Sequence, residues 1–271
     1  MFSQIDKPLI MGILNVTPDS FSDGGKYSAL DSAMQQVDKM LADGVDIIDI
    51  GGESTRPGAD SVSAAEQIQR VVPVITAIRA RSNAAISIDT TLSAVAKAAL
   101  AVGADMINDV SAGQADAQML AFAAQADVPI ILMHSQGISK TMQDNPHYED
   151  VLAEVLDFLQ SRINAALAAG VKQARIIIDP GIGFGKRKQD NLVLLAHLDK
   201  FAATGYPVLL GTSRKRFMGA ICSVTEATEL VTATAVTTGL GIMAGVQIFR
   251  VHDVKENRQA ADVAWAIKQS M

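Results

Sequence analysis

Polar residues with recognisable chemistry follow short apolar runs along this chain. In residues 176–186, three isoleucines are followed at once by Asp179, by Pro180 and by a glycine-rich loop. Proline ends a strand, and glycine lets the backbone lie close to another group. We interpret this stretch as a buried strand that delivers a carboxylate to a ligand. A plain turn, in which Asp179 only caps its own loop, is the alternative.

Carboxylate, amide and ammonium groups close several other apolar runs. Asp89, Asn108, Asp179 and Lys215 form a set suited to a flat heterocycle. An ionised carboxylate accepts two N–H donors side by side, each charge-assisted bond being worth about 1.5–3 kcal/mol, and a lysine donates to a carbonyl or ring nitrogen. The alternatives are a helix N-cap for Asp89 and an Asx turn for Asn108.

The first and last runs end in groups that suit an anion and a metal. Arg250 and His252 close the last run, where arginine offers a fork to an oxyanion and histidine adds a donor. Asn15 closes the first run and offers an oxygen to Mg²⁺, which shares phosphate oxygens and keeps several waters. A solvated loop histidine is the alternative for His252.

The other histidines and the neighbouring apolar residues carry less information. His134 follows an apolar run and stays open between a structural and a functional role, with the structural role favoured. His147 and His197 lie on flanks without such company, so we expect surface residues. Met133 and Phe184 are expected in the core or in a pocket wall.

Eight apolar runs alternate with amphipathic segments, and this order predicts a (β/α)8 TIM barrel. The runs lie at 9–14, 45–50, 85–88, 105–107, 128–133, 176–178, 207–211 and 246–249. The helices are expected near 28–43, 63–81, 91–102, 115–126, 148–167, 189–201, 226–244 and 253–269. The carboxyl ends of barrel strands share one face, so the polar residues are expected to converge there.

The chain shows no linker or change in composition, and we expect one domain over residues 1–271. A doubly wound open sheet is the competing architecture, but it usually has a glycine fingerprint after the first strand. Residues 15–27 and 51–61 form longer loops than most strand-to-helix connections, and we interpret both as mobile lids.

The composition of the chain excludes several classes of function. A net charge of −6 and a pI near 5.2 argue against a nucleic-acid surface. No apolar run reaches the roughly 18 residues of a membrane helix, and the first residues lack a signal-peptide pattern, so we expect a cytoplasmic protein without a membrane partner. The single cysteine, Cys222, excludes an intramolecular disulfide and a thiolate zinc site, and we expect it to be a small buried side chain.

Seven blocks together resemble the bacterial dihydropteroate synthase family, across nearly the whole chain. They are NVTPDSFSDGG at 15–25, GGESTRPG at 51–58, SIDT at 87–90, INDV at 107–110, DPGIGFGK at 179–186, SRK at 213–215 and RVHD at 250–253. The resemblance implies condensation of 6-hydroxymethyl-7,8-dihydropterin diphosphate with 4-aminobenzoate, assisted by Mg²⁺. It also implies inhibition by sulfonamides and a homodimer. The small-residue helix near 226–244 and Trp265 in the last helix are candidates for the dimer interface.

The resemblance assigns a role to each matching position. Asp89, Asn108, Asp179 and Lys215 resemble a pterin site, while Asn15, Arg250 and His252 resemble the diphosphate and metal site. The aminobenzoate wall would contain Thr55, Arg56, Pro57, Phe184 and Ser213. Met133 and Gly183 complete the substrate-binding set, and Asp89, Lys215, Arg250 and His252 are the expected catalytic residues. Ser135, Ser139 and Arg216 depart from the family's usual residues.

Three other functions compete with this one. A methyltetrahydrofolate-binding methyltransferase would keep the pterin site but has no use for the two long loops or Arg250. A folate-binding protein without turnover would tolerate loss of Asn15 or Lys215. A Schiff-base aldolase would use Lys215 as its nucleophile.

Overall fold

The computed structural model describes residues 7–16, 26–53, 62–137, 142 and 144–271, with the side chains of 26–29 excepted. Three predicted site residues, Thr55, Arg56 and Pro57, lie outside these ranges, as do Ser139 and most of the two long loops.

The strands form one parallel sheet that closes into a barrel. They are β1 (Leu9–Asn15), β2 (Ile47–Gly51), β3 (Ala85–Asp89), β4 (Met106–Asp109), β5 (Ile130–Met133), β6 (Ile176–Asp179), β7 (Leu209–Leu210) and β8 (Ile248–Val251). Their order is β6-β5-β4-β3-β2-β1-β8-β7. The remaining gap is closed by a parallel bridge between Ile178 and Val208, and Ile178 N donates to Pro207 O over 2.9 Å. The predicted (β/α)8 barrel is confirmed.

Helices follow the strands. They are α1 (Lys26–Ala42), α2 (Ala64–Arg79), α3 (Ser93–Ala101), α4 (Met119–Ala126), α5 (Val151–Ala168), α6 (Lys188–Ala196), α7 (Leu198–Ala202), α8 (Arg216–Cys222), α9 (Val231–Ala244) and α10 (Val254–Gln269). Within the described ranges no helix is long and apolar enough to cross a membrane.

Three predicted helices differ from the structure. The single helix at 189–201 is two, because the backbone of His197 leaves the helical region at φ −122° and ψ 31°. The helix expected from 226 begins at Val231, after a 3₁₀ turn at Ala227–Glu229. The helix expected from 115 begins at Met119, because the Asp116 carboxylate holds the preceding residues in a turn by accepting from Gln118 N over 2.9 Å.

The interpretation of Cys222 as a buried side chain is wrong. Cys222 is the last residue of α8 and is exposed. The helix stops there because Ser223 adopts a left-handed conformation with φ 56°, so the chain turns away before the thiol can be covered.

The barrel interior is filled by one side chain from each strand. These residues are Met11, Ile47, Ala85, Met106, Ile131, Ile177, Leu209 and Ile248. Side chains of a strand alternate between its two faces, so every second residue after these also points inward. The alternate residues, such as Ile10 and Ile48, belong to the larger core between the strands and the helices.

The same alternation places the polar residues. Asn15, Asp89, Asn108, Asp179 and Arg250 each lie an even number of residues beyond the inner apolar layer of their strand. They therefore point into the barrel mouth, and the apolar layer beneath them closes the floor.

Candidate active site

A cavity of about 920 Å³ opens at the carboxyl ends of the strands. Its lining includes most of the described residues predicted for the site: Asn15, Asn108, Met133, Asp179, Gly183, Phe184, Ser213, Lys215, Arg250 and His252. Asp89 lies beneath the lining, where it contacts Arg250. The structure therefore brings together every described residue that the sequence predicted for substrate, metal or catalysis.

Arg250 joins two buried carboxylates at the cavity floor. Its Nε donates to Asp49 Oδ2 over 2.6 Å, and its Nη2 donates to Asp89 Oδ2 over 2.6 Å. Burial raises the pKa of Asp89, and the guanidinium of Arg250 opposes that rise. The same two carboxylates hold the pKa of Arg250 above its ordinary value.

Sequence reasoning missed Asp49. This residue is buried in β2, and its Oδ2 also accepts from Asn108 Nδ2 over 3.2 Å. The available signal was an acidic residue two positions after Ile47, at an inward position of an otherwise apolar strand. Asp49 thus connects Asn108 of the predicted heterocycle site to Arg250 of the predicted anion site.

Three buried acceptors in this region have no hydrogen-bond partner among the described residues. They are Asp49 Oδ1, Asp89 Oδ1 and Ser87 Oγ. Buried polar atoms are nearly always paired, so unpaired atoms beside a cavity indicate a place for a ligand's donors or for water. The three atoms belong to neighbouring strands, β2 and β3, which pair at Asp49 and Ser87.

The structural alternatives for Asp89 and Asn108 do not hold. Helix α3 has Leu92 at its N-cap and no side-chain cap, so Asp89 is not its capping residue. The turn after β4 is made by Asp109, whose Oδ1 accepts from Ser111 N over 2.8 Å. Asn108 is left to face Asp49.

Asp179 serves its loop and the cavity. Its Oδ1 accepts from Gly181 N over 2.7 Å, so the turn interpretation accounts for one oxygen of the carboxylate. Burial raises the pKa of Asp179 from 3.8 to about 6. Burial also lowers the pKa of Lys215 to about 8, and its Nζ lies 4.1 Å from the centre of the Phe184 ring.

His252 is held in place by the neighbouring strand end. Its Nδ1 lies 2.9 Å from Ser213 Oγ, and its backbone N–H donates to the same oxygen over 3.1 Å. Close by, Arg214 Nη2 donates to Asp253 Oδ1 over 2.6 Å, which ties the ends of β7 and β8 together. The alternative of a solvated loop histidine does not describe His252.

His134 has a buried partner that the sequence did not reveal. Its Nδ1 lies 2.8 Å from the Nζ of Lys186, which is also buried. Burial, followed by the charge of Lys186, lowers the pKa of His134 to about 3, so the imidazole is neutral. His147 and His197 are exposed, as predicted.

Gln67 contacts the residues on both sides of the segment that contains Thr55, Arg56 and Pro57. The Nε2 of Gln67 donates to Glu53 Oε2 over 2.7 Å and to Val62 O over 3.0 Å. Gln67 of α2 therefore joins the two described residues that flank this segment, Glu53 and Val62.

Among the described residues, no group of three or more His, Cys, Asp or Glu residues is arranged to hold a metal ion. The ligand predicted from the sequence is Asn15, at the end of β1. A single neutral oxygen suits a Mg²⁺ ion that takes its other ligands from a phosphate substrate and from water.

The chain is similar to known proteins in sequence and in structure. A family model described as pterin binding enzyme matches residues 11–252. The dihydropteroate synthase of Streptococcus pyogenes serotype M6 is 51% identical over 263 residues, which are 97% of this chain and 95% of that protein.

Two solved structures are also close. The Yersinia pestis dihydropteroate synthase with a sulfonamide drug complex has a TM-score of 0.92 and 42% identity, covering 98% of this chain and 96% of that one. The Xanthomonas albilineans dihydropteroate synthase with 4-aminobenzoic acid has a TM-score of 0.92 and 43% identity, covering 98% of this chain and 95% of that one.

Proposed function

This chain belongs to the dihydropteroate synthase family of pterin-binding enzymes, and from that premise we propose how its barrel carries out the family's reaction. The reaction condenses 6-hydroxymethyl-7,8-dihydropterin diphosphate with 4-aminobenzoate and yields 7,8-dihydropteroate and diphosphate. The observation that carries the proposal is the group of unpaired buried acceptors beneath a cavity lined by Asn108, Asp179 and Lys215.

The pterin ring binds across the inner polar layer. Its amino-pyrimidinone edge presents adjacent N–H donors, which match the carboxylate of Asp179 and the side-chain oxygen of Asn108. Lys215 donates to the ring carbonyl or a ring nitrogen. The free oxygens of Asp49 and Asp89 supply the negative potential beneath the ring.

The leaving group departs before the amine attacks. The C–O bond between the pterin methylene and the diphosphate breaks, and its electron pair leaves with the diphosphate. The positive charge spreads over the electron-rich dihydropterin, where Asp89 stabilises it. The arylamine nitrogen then forms the new C–N bond and releases a proton to solvent, so the enzyme needs no strong base.

Arg250 and His252 receive the charge of the diphosphate. Two N–H groups of Arg250 are used by Asp49 and Asp89, and the remaining guanidinium donors are available for an oxyanion. Ser213 holds His252 at the cavity. Asn15 would hold Mg²⁺, which, when bound, neutralises charge on the phosphate oxygens.

The aminobenzoate site lies at the outer part of the cavity. Phe184 and Ser213 line the cavity there, and we expect Thr55, Arg56 and Pro57 of the segment between Glu53 and Val62 to complete the site. Sulfonamides would compete for this site, as the drug complex of the Yersinia pestis relative suggests.

The proposal is tested by measuring diphosphate release from the pterin diphosphate with Mg²⁺, with and without 4-aminobenzoate. We expect release that depends on aminobenzoate and is inhibited by a sulfonamide. Retained pterin binding without release would favour a methyltransferase or a binding protein. Borohydride trapping of Lys215 with a carbonyl substrate would favour an aldolase, and we expect no trapping.

We also propose a homodimer in the cytoplasm. Large apolar side chains are exposed on two adjoining helices: Val236, Leu240 and Met243 on α9, and Val263 and Ile267 on α10. Such a contiguous face is typical of a subunit interface. Gly241 of α9 packs against the barrel and not at this face: a Cβ at Gly241 would lie 2.7 Å from Phe249 Cε1. Trp265 is half-buried.

A further inference from the structure

Lys186 places a buried ammonium group among neutral acceptors directly behind the glycine-rich loop. Its Nζ lies 2.9 Å from Gly181 O, 3.1 Å from Phe184 O and 3.4 Å from His134 O. The fourth neighbour is the Nδ1 of His134, at 2.8 Å. The residue is only 3% exposed, and burial lowers its pKa to about 7.

A buried cation whose hydrogen-bond partners are all neutral is costly, and the charges of Asp179 and Asp190 oppose only part of the effect of burial on Lys186. The retention of Lys186 therefore calls for a reason. An ammonium has three N–H donors and no acceptor, which suits it to drawing several carbonyl oxygens towards one point. The carbonyls of Gly181 and Phe184 come from the two ends of one tight turn, in which Phe184 N donates to Gly181 O over 3.1 Å. Lys186 therefore fixes the curvature of this turn.

Other side chains complete the support of the loop. Tyr148 Oη donates to Gly185 O over 2.7 Å, and Gly183 N donates to Asn191 Oδ1 over 2.7 Å. The loop glycines have positive φ angles, 66° at Gly181, 84° at Gly183 and 60° at Gly185, which turn their carbonyls to these partners. The loop is thus held by its backbone, and the side chain of Phe184 lines the cavity.

The turn from Gly181 to Phe184 also supports Lys215. A Cβ on Gly183 would lie 2.9 Å from Lys215 Cδ, so the aliphatic part of that lysine rests on the glycine backbone. The ammonium of Lys215 lies over the Phe184 ring at 4.1 Å. A shift of the turn would therefore move a residue of the aminobenzoate wall and a residue of the pterin site together.

We propose that Lys186 is a positioning residue for catalysis, which sets the place of Phe184 by holding the carbonyls of the turn and thereby determines aminobenzoate affinity. The inference rests on the proposed function, because the binding of 4-aminobenzoate and of a sulfonamide is used to detect the effect. Lys186 contacts neither substrate in this proposal and acts through the loop backbone.

The test is a double-mutant cycle between Lys186→Met and Phe184→Leu. Lys186→Met keeps the length of the side chain and removes its donors. We expect the KM for 4-aminobenzoate and the Kd of a sulfonamide to rise about tenfold or more, which corresponds to about 1.4 kcal/mol, because Phe184 is no longer held in place against the ligand. The Kd of the pterin diphosphate should rise about threefold at most, because most of the pterin contacts come from other strands.

The cycle separates positioning from general stability. If Lys186 acts through Phe184, then Lys186→Met adds little further loss in the Phe184→Leu background. Additive losses, or equal losses for both substrates, would overturn the proposal. Lys200→Met is the matched control, because Lys200 is exposed on α7, away from the cavity, and should behave as wild type.

Two further outcomes are informative. If Lys186→Met does not fold, Lys186→Gln takes its place in the cycle, since it keeps one amide donor and should give a smaller loss with the same non-additivity. If the wild-type protein shows no release dependent on aminobenzoate, the proposed function fails. If the wild type is active and Lys186→Met matches Lys200→Met, only the inference fails.

Discussion

At the residue level, the floor of the cavity depends on one cation shared by two anions. Arg250 bonds Asp49 and Asp89 at 2.6 Å each, and Asp49 also accepts from Asn108. All three partners are buried. The guanidinium thereby fixes three strands, β2, β3 and β8, at the level where the pterin ring is proposed to bind.

Replacing Asp49 should disturb the contacts of Arg250 even when the new side chain has the same volume. Asp49→Asn keeps the volume but places an amide donor where Arg250 and Asn108 both donate. Removing one partner of a buried ion pair costs about 3–5 kcal/mol, and because Asp89 remains we expect a loss near the lower end, with kcat/KM reduced about tenfold or more. Urea unfolding and steady-state kinetics measure both.

Asp38→Asn is the control for this substitution, since Asp38 is exposed on α1. It should leave stability and kinetics unchanged. If Asp49→Asn were equally silent, the attraction within the ion pair would be fully offset by desolvation, and Asp49 would have no part in placing Arg250.

His134 should make a visible contribution to the pH dependence of stability. Its pKa is about 3 in the folded protein, well below the ordinary 6.5, so between these values the unfolded chain binds a proton that the native protein does not. The free energy of unfolding therefore falls as the pH falls through this range. At a pH one unit below 6.5 the loss is about 1.4 kcal/mol.

The comparison that isolates this effect uses His134→Asn, which keeps an acceptor near the position of Nδ1 but cannot titrate. Between about pH 7.5 and pH 5.5, the wild type should lose about 1.4 kcal/mol more stability than the variant. His147→Asn, at an exposed histidine, should follow the wild type. Parallel curves for all three proteins would mean that His134 is protonated in the native state.

Sequence reasoning found the residues at the strand ends and missed those inside the strands. Asp89, Asn108 and Asp179 stand at the junction with a loop, where a polar residue after an apolar run is conspicuous. Asp49 and Ser87 lie within runs that look apolar, and their role depends on which face they occupy. That face is fixed by the alternation from Ile47 and Ala85, which becomes known only with the barrel.

At the level of elements, the glycine-rich loop depends on close backbone contact. Gly181 has φ 66°, and a Cβ there would lie 1.8 Å from His134 O. Gly205 has a similar φ of 80° but nothing within 4 Å. Both glycines therefore need a positive φ angle, but only at Gly181 would a side chain clash with a neighbouring atom.

Alanine at these two positions should separate the two demands. Gly205→Ala should cost about 1–2 kcal/mol, the penalty of a left-handed backbone with a side chain. Gly181→Ala should cost clearly more and should also weaken sulfonamide binding, because the turn must move away from His134. Thermal unfolding and ligand titration measure the two effects. Equal destabilisation by both substitutions would mean that the loop yields without strain.

The elements themselves were more predictable than their ends. Each strand was expected within a few residues, because apolar runs of this length are buried on both faces of a parallel sheet. The break at His197 and the 3₁₀ turn before α9 carry no strong punctuation, since neither contains proline or glycine. Local backbone angles decide these boundaries, and apolar periodicity does not report them.

At the level of the whole molecule, a net negative chain holds cations where an anionic substrate is proposed to bind. The formal charge is −6, yet Lys215 and Arg250 both line one cavity. Asp49, Asp89 and Asp179 lie at the same place. The local balance, more than the net charge, makes this site suitable for a substrate with a cationic transition state and an anionic leaving group.

The exposed apolar face of α9 and α10 leads to the last prediction. Leu240 is 62% exposed at its centre, with Val236 and Met243 on the same side of α9. Burying this face against a second copy would remove apolar area from water, which is the main driving force of association. We expect the wild type to be a dimer in light scattering or sedimentation, and Leu240→Arg should therefore give a monomer. Leu167→Arg, at an exposed leucine of α5, should leave the dimer intact, and dimers of both variants would place the interface elsewhere.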